Sequence, residues 1–500
     1  MADMRNSPAE LSPADFRAIG HQLVDRVADF LAELPEKPVA PAMSPREMHA
    51  LLGTSDTLPD VGEDAKHIAQ HAAELVIENS TFNGHPRFFG YITSSASPLG
   101  ALGDMLAASV NPNCGAWALS PVASEIEKQA VRWVAELIGY PADCGGLFVS
   151  GGNMANMVCL IAAIRAQADW SVRARGVASG KQLRIYASEE VHTWLEKGVD
   201  ICGLGAGAFR PVPVDDSRAM DFGALQRMIA EDRKGGHRPA VVIGTAGSVS
   251  TGAIDPLPEI AKLCAREKLW FHVDGAYGAP AAVLPDAAPA LKALSLADSV
   301  AVDPHKWLYA PLEAGCSLVR DAEKLRGAFS YHPPYYRFDG EAQDPPTNFY
   351  EWGPQNSRGF RALKVWMTIR QVGRDGYVRM IRDDIALARE MCDLVSEEAE
   401  LEALTQSLSI TTFRYVPEHM RPDASRHLEE LNALNAAILE KLQKDGVAYP
   451  SNAVIGGRFA IRACIVNFRT QSEDVKALIR ATIAAGRELS ASGSLAQSKS

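Results

Sequence analysis

The central part of the chain alternates short apolar runs with stretches at helical spacing. Six runs predict buried strands: Gly146 to Val149, Leu183 to Ala187, Ala240 to Gly244, Trp270 to Val273, Ser299 to Val302 and Cys316 to Val319. Helical patterns lie between several of them, at Asn156 to Ala168, Phe222 to Asp232 and Leu257 to Glu267. This alternation predicts an α/β fold with a mostly parallel sheet that is covered by helices on both faces. Ligands of such sheets bind at the carboxyl ends of the strands.

The first part of the chain predicts a helix that needs a packing partner. Ser12 and Pro13 are typical of a helix start. Apolar residues then recur at helical spacing: Phe16, Ile19, Leu23, Val27, Phe30 and Leu34. This segment is too small for a core of its own, so its apolar stripe packs either on the main domain or on a second subunit.

The length of 500 residues predicts more than one domain. We predict an N-terminal helical segment over residues 1–83, a large ligand-binding domain over 84–385 and a smaller C-terminal α+β domain over 386–489. The small domain has predicted strands at Ser409 to Arg414 and Phe459 to Phe468, and predicted helices at Ala424 to Lys444 and Ser472 to Leu489. Residues 490–500, rich in Ser, Ala and Gly, predict a disordered tail.

Composition narrows the classes of partner. The net charge is −11 and no block of Lys and Arg occurs, which argues against nucleic acid or a membrane surface as a partner. The eight cysteines are scattered without a CxxC pair, so we expect neither a zinc site nor a disulfide framework. No signal peptide or membrane-spanning run is visible, and we expect a cytoplasmic protein.

Two predicted strand ends carry groups that suit an anion and a carbonyl compound. Ser150 to Asn156 reads SGGNMAN, where glycines and a helix N-terminus can approach a phosphate closely, although such a turn is often only a tight turn. Asp303 to Trp307 reads DPHKW and places Lys306 at the end of a buried strand. A buried ammonium is costly, whereas a Schiff base with a cofactor aldehyde removes its charge. A lysine that reaches back to solvent is the alternative.

Two further strand ends carry a carboxylate and an imidazole. Asp274, in HVDGAYG, leaves a buried strand and needs a cationic partner such as a protonated pyridine nitrogen. An arginine partner, or a metal site shared with His272, would serve equally well. His192, in HTW, can stack on a pyridine ring or transfer protons, and it can also be purely structural.

The order and wording of these segments carry a resemblance to a known family. SGGNMAN, HTW, GTAGSVSTGAIDP, HVDGAYG and DPHKW resemble the motifs of the group II decarboxylases of fold type I, which depend on pyridoxal 5'-phosphate (PLP). The aromatic-L-amino-acid branch is the most similar one. The likeness extends from about Phe16 to Glu488.

The resemblance implies roles at the matching positions. Lys306 would form the Schiff base, Asp274 would bind the pyridine nitrogen, and His192 would stack on the ring. The residues around the phosphate would be Gly152, Asn153, Asp303 and His305, and those against the cofactor would be Thr245 and Ala276. Two positions depart from the family pattern: Met154 stands where glutamate is common, and Asp303 where asparagine is common. Because a carboxylate repels a phosphate, the role of Asp303 is the weakest of these expectations.

The resemblance also implies an assembly and a lid. The N-terminal helix would wrap around a partner subunit in a homodimer with active sites at the interface. The segment from Tyr331 to Asn348 would close over the site, and Tyr335 would protonate the substrate carbon after carbon dioxide leaves. Relatives that release aldehydes tend to carry phenylalanine there, so Tyr335 favours simple decarboxylation.

The expected reaction is decarboxylation of an aromatic L-amino acid to the amine, without a metal. The residues expected to bind the substrate are Phe88, Tyr91, Ile92, Trp117 and Ser357. The alternatives are aldehyde synthesis by oxidative deamination, decarboxylation of an acidic amino acid and a non-catalytic protein that keeps the fold. A metal hydrolase built on His272, Asp274 and His305 is a more remote alternative.

Overall fold

The structure is a computed structural model that describes residues 7–331 and 346–491. Five helices come first: α1 Pro13–Glu33, α2 Pro45–Leu52, α3 Ala65–Asn79, α4 Pro98–Val110 and α5 Pro121–Leu137. The large sheet follows with its helices: β1 Gly145–Val149, α6 Gly151–Gln167, α7 Val172–Arg175, β2 Leu183–Ser188, α8 Trp194–Ile201, β3 Phe209–Val212, α9 Phe222–Lys234, β4 Arg238–Thr245, α10 Leu257–Glu267, β5 Trp270–Asp274, β6 Ser299–Val302, β7 Gly315–Val319 and α11 Ala322–Phe329. The C-terminal elements are α12 Ala362–Glu397, β8 Leu401–Ser407, β9 Ile410–Tyr415, α13 Leu428–Lys444, β10 Ser451–Ile455, β11 Arg458–Cys464 and α14 Ser472–Ala491.

The large sheet confirms the predicted α/β fold. Its strand order is β1-β7-β6-β5-β4-β2-β3, and only β7 runs antiparallel to its neighbours. All residues of β1, β2, β5, β6 and β7 are buried, because helices cover both faces. Each predicted strand is present, and the structure adds the edge strand β3, which is too short and too exposed to give an apolar run.

The second sheet is small and antiparallel, with the order β10-β11-β9-β8. Only two of its strands were predicted, because β8 and β10 alternate or carry many polar residues. Helix α13 begins at Leu428 rather than at the predicted Ala424, after a short 3-10 helix that contains Pro422. Helix α12 runs across the predicted domain boundary at residues 385 and 386, and the boundary stays a prediction.

The N-terminal helix α1 lies on the outside of the chain. None of its residues is buried, and its contacts are made with α3. Phe16 is 60% exposed and Val27 is 47% exposed, whereas Phe30 packs on Phe82 at a ring distance of 5.2 Å. Much of the predicted apolar stripe is therefore uncovered in a single chain. Within the described residues no helix combines the length and the apolar character that crossing a bilayer requires.

Candidate active site

The site lies at one edge of the large sheet, where the strand ends meet. Thr245 and Asp274 are the last residues of the adjacent strands β4 and β5 and face each other in register. Asp274 is also in register with Ala301 of β6, two residues before Asp303. The parallel direction of these strands brings residues distant in sequence to the same edge.

A cavity of about 470 Å³ opens at this edge. It is lined by eleven of the predicted site residues: Tyr91, Ile92, Gly152, Asn153, His192, Thr245, Asp274, Ala276, Asp303, His305 and Lys306. The four strand-end motifs therefore converge on one space, although their roles stay predictions. Motifs that line one common cavity are expected of a binding site and not of four separate structural features.

Three residues predicted to contact substrate do not line this cavity. Phe88 is buried and stacks on Tyr449 at 5.3 Å, because its segment pairs with the strand end at Tyr449. The Trp117 indole donates to Glu125 on α5 instead, and Ser357 is exposed. The sequence does not show in which direction these three side chains point. Tyr335 lies outside the described residues.

The lysine of the DPHKW motif reaches the cavity and is paired there. Lys306 Nζ lies 3.0 Å from Asp303 Oδ2, and the Asp303 side chain is only 1% exposed. His305 Nε2 lies 3.8 Å from the same oxygen, and burial lowers the pKa of His305. The contact that the structure gives Asp303 is thus with the lysine, so its predicted place around a phosphate stays a prediction.

Asp274 is a buried carboxylate that has neutral donors only. Its Oδ2 accepts the indole N–H of Trp194 at 2.7 Å, and its Oδ1 accepts the backbone N–H of Ala276 at 3.2 Å. Among the described residues no Lys, Arg or His nitrogen lies within 4.0 Å of this carboxylate. A buried carboxylate without a protein cation that borders a cavity is suited to a cationic ligand, such as a protonated pyridine nitrogen.

His192 stands at the mouth of the cavity with a defined proton. Its Nδ1 accepts the backbone N–H of Trp194 at 3.2 Å, which leaves the proton of a neutral ring on Nε2. The protein atoms packed around the ring remove part of its hydration and lower the pKa of His192, although Asp274 opposes this shift. The ring is therefore neutral at neutral pH and offers Nε2–H as a donor.

The turn from β1 into α6 forms a cradle with no room for a side chain. Gly151 has a φ of 80°, which favours glycine, and a Cβ on Gly152 would lie 2.4 Å from Asp303 Oδ2. No side chain caps the 17-residue helix α6, so the N–H groups of its first turn are free for an anion. Asn156 on this helix accepts the Nε2–H of His272 at its Oδ1, at 2.7 Å.

His272 belongs to the support of the site and not to its lining. Its Nδ1 contacts Ser299 Oγ at 2.9 Å, its Nε2 contacts Asn156, and burial lowers the pKa of His272 to about 4. Both ring nitrogens are thus occupied by neutral side chains. In the part of the chain that the structure describes, no three His, Cys, Asp or Glu side chains are grouped to hold a metal.

Sequence reasoning missed several side chains at this edge, among them one tryptophan and two glutamates. Trp194, Glu190 and Glu313 line the same cavity, and two of them carry a carboxylate. The HTW segment and the residues before it are recognisable as a motif, but only His192 was predicted from this motif as a site residue. Nothing in the sequence indicates that the Trp194 indole would reach Asp274, which lies 80 residues further along the chain.

The parallel sheet, with a lysine, a cation-seeking aspartate and an anion-binding turn at one edge, defines the class of PLP-dependent α/β enzymes. The residues present fit this cofactor, because Lys306 would meet its aldehyde, Asp274 its protonated ring nitrogen and the first turn of α6 its phosphate. A model of the pyridoxal-dependent decarboxylase conserved domain matches residues 45–416. The chain belongs to this family of PLP-dependent amino-acid carboxy-lyases.

Individual relatives agree with this assignment. Aromatic-L-amino-acid decarboxylase from Bacillus atrophaeus is 30% identical over 484 residues, which cover 97% of this chain and 98% of the relative. Phenylacetaldehyde synthase from Petunia hybrida is 29% identical over 91% of each chain. The crystal structure of Oryza sativa TDC with PLP and tryptamine superposes with a TM-score of 0.88 at 27% identity and covers 97% of this chain and 100% of that one. The predicted family, fold and cofactor are confirmed.

Proposed function

We propose that the protein decarboxylates an aromatic L-amino acid to the corresponding amine. The observation that carries the substrate class is the charge of the cavity lining. Among the lining residues described, the only basic side chains are Lys306, His192 and His305. An acidic substrate would need a further cation for its second carboxylate.

The acidic groups of the lining point to the same conclusion. Glu190 pairs with Arg218, and Glu313 pairs with Arg361 at 2.6 Å, so both carboxylates already have a cation. Both arginines are thereby engaged, so neither is left to pair with a second substrate carboxylate. Tyr91 and Ile92 contribute apolar surface at the same cavity, which suits an aromatic ring.

The chain's own residues divide the work around the cofactor. PLP, when bound, supplies an aldehyde and a ring that accepts the electron pair left by the departing carboxylate. Lys306 offers the amine that would bind it, Asp274 would hold the proton on the ring nitrogen, and the turn at Gly152 and Asn153 would receive the phosphate. His192 would lie over the ring and present Nε2–H to the reacting groups.

We also propose a homodimer in a reducing, cytoplasmic compartment. Helix α1 leaves apolar side chains uncovered, and helix α4 adds Met105 and Val110, which are 55% and 68% exposed. Apolar side chains gathered on two helices favour a protein interface. All eight cysteines are free thiols, which suits a reducing environment. Sedimentation that gives the mass of one chain would contradict the dimer.

The function is tested on purified protein with PLP. We expect a yellow protein whose absorption changes with aromatic amino acids, and release of carbon dioxide and amine in equal amounts. Glutamate and aspartate should be turned over at least about a hundredfold more slowly, since each lacks a partner for its second carboxylate. Colourless protein that takes up no PLP, or faster turnover of glutamate, would contradict the proposal.

Two variants test the roles of individual residues in this reaction. Lys306→Ala should lose turnover on the order of 10⁴-fold or more while still taking up PLP without a covalent bond. Tyr335→Phe tests the aldehyde alternative, because aldehyde, ammonia and hydrogen peroxide should rise at the expense of amine. An unchanged product ratio would remove Tyr335 from the proton-donating role.

A further inference from the structure

Trp194 contacts two predicted catalytic side chains through two different N–H groups. Its indole Nε1 donates to Asp274 Oδ2 at 2.7 Å, and its backbone N–H donates to His192 Nδ1 at 3.2 Å. The residue opens helix α8 and is only 1% exposed, although its side chain borders the cavity. One residue therefore joins the carboxylate that would bind the ring nitrogen of the cofactor to the imidazole that would stack on the ring.

The indole contact matters because Asp274 has so few partners. Each carboxylate oxygen can accept two hydrogen bonds, and each holds one neutral donor in this structure, from Trp194 and from Ala276. These two donors fix the rotation of the carboxylate and leave one acceptor position on each oxygen for a cation. Without the indole donor, one oxygen would be buried with no protein partner.

The indole is itself held in place. Its ring meets the ring of His272 edge-on, at 6.0 Å and 85°. Both nitrogens of His272 are occupied by buried side chains, Asn156 on helix α6 and Ser299 on strand β6. Rotation of Trp194 would disturb this network, so the donor has one direction available and that direction is Asp274.

We propose that Trp194 is a positioning residue, whose indole N–H holds the Asp274 carboxylate in the orientation that binds the protonated ring nitrogen of PLP. This inference rests on the proposed function, since it takes Asp274 as the partner of that nitrogen. Trp194 thereby acts through Asp274 and not on the substrate.

Two substitutions separate the hydrogen bond from the bulk of the ring. Trp194→Phe keeps an aromatic six-membered ring against His272 and removes the donor. Trp194→His keeps a five-membered ring whose Nε2–H takes the place of the indole Nε1–H, and it removes the bulk. Trp170→Phe is the matched control, because Trp170 is also buried but donates its indole N–H to the carbonyl of Gly176 at 2.9 Å, outside the network of His272.

The experiment measures PLP affinity of the apoenzyme, the absorption spectrum of the bound cofactor against pH, and kcat and KM separately. We expect Trp194→Phe to weaken PLP binding and to lower kcat by about tenfold each, with KM within about twofold, as for one hydrogen bond to a charged group. The pH midpoint of the cofactor spectrum should move in this variant. Trp194→His should recover at least half of both losses, and Trp170→Phe should stay within about twofold of wild type.

Each outcome decides the inference. If wild type binds PLP and decarboxylates while Trp194→Phe matches Trp170→Phe in affinity and in spectrum, the inference is wrong and the proposed function stands. If wild type takes up no PLP, both are wrong. If Trp194→Phe does not fold, Trp194→His decides, because a folded His variant with wild-type affinity and pH profile supports the donor and one with tenfold weaker binding contradicts it.

Discussion

Two buried carboxylates, Glu127 and Asp274, differ in the partners that the fold gives them. Glu127 on helix α5 is paired with Arg358, whose Nη1 lies 3.0 Å from Oε2, and both side chains are 1% exposed. Arg358 also donates to the carbonyls of Cys114 and Phe148. Asp274 has only neutral donors and borders a cavity. A buried carboxylate with a structural role is paired with a cation of the protein. A buried carboxylate that binds a ligand has no such cation, and a cationic ligand neutralises it.

A third carboxylate extends the comparison. Asp384 on α12 accepts from Trp307 Nε1 at 2.8 Å and from Tyr309 Oη at 2.5 Å, and it does not border the active-site cavity. Burial raises the pKa of Asp384 to about 7. With neither a protein cation nor a ligand, a buried carboxylate is stabilised by binding a proton. The three groups thus show three ways to satisfy a buried negative charge.

The largest expected effects test Asp274 against Arg358. Asp274→Asn should lower kcat by about a hundredfold to a thousandfold, because a neutral amide cannot hold the ring nitrogen protonated. The apoenzyme should keep a Tm close to that of wild type. Arg358→Met should instead lower the free energy of unfolding by about 3–5 kcal/mol, because the Glu127 carboxylate stays buried without its cation. Calorimetry and steady-state kinetics on both variants check this division.

A double variant sharpens the second half of that prediction. Arg358→Met combined with Glu127→Gln leaves no buried charge, so part of the lost stability should return. If Asp274→Asn lowered the free energy of unfolding as much as Arg358→Met does, Asp274 would have a structural role like that of Glu127. That result would contradict the distinction between the two carboxylates.

The next effect is the pH dependence contributed by Asp384. Its folded pKa of about 7 exceeds the unfolded value, so the folded state binds the additional proton, and the contribution of Asp384 to stability falls as pH rises toward 7. Asp384→Asn has no such proton to lose. The free energy of unfolding of this variant, relative to that of wild type, should therefore rise from pH 5 to pH 8 by up to about 3 kcal/mol.

Denaturant unfolding of the apoenzymes at both pH values measures this difference. Asp383→Asn, at the exposed neighbouring position, is the matched control and should follow wild type. A constant gap between Asp384→Asn and wild type across this range would show that the carboxyl group does not change its protonation there.

The smallest effect concerns the turn before helix α6. A Cβ at Gly152 would lie 2.4 Å from Asp303 Oδ2, so Gly152→Ala should displace that carboxylate or the turn and weaken PLP binding by about tenfold. Gly327→Ala on helix α11 is the control, because a Cβ there has no atom within 4 Å. Equal PLP affinities in the two variants, measured by titration of the apoenzymes, would separate this turn from the cofactor.

Much of the site was predictable because its signals are local in sequence. A glycine turn, a strand-end aspartate and a strand-end lysine are each read within a few residues, and the parallel sheet then requires their ends to meet. The directions of Phe88, Trp117 and Ser357 were not predictable in this way. Phe88 packs on Tyr449, which is far away in the sequence, and the Trp117 indole turns to Glu125 on helix α5.

The amino-acid sequence alone determined the α/β class, the family and the cofactor, because strand and helix periods and short motifs are properties of neighbouring residues. Only the tertiary structure decided which charges are already satisfied. It paired Lys306 with Asp303, gave Arg358 to Glu127 and left Asp274 with the Trp194 indole. The physical reason is that the state of a buried charge depends on what packs within a few ångströms of it, and packing joins residues that the chain itself keeps far apart.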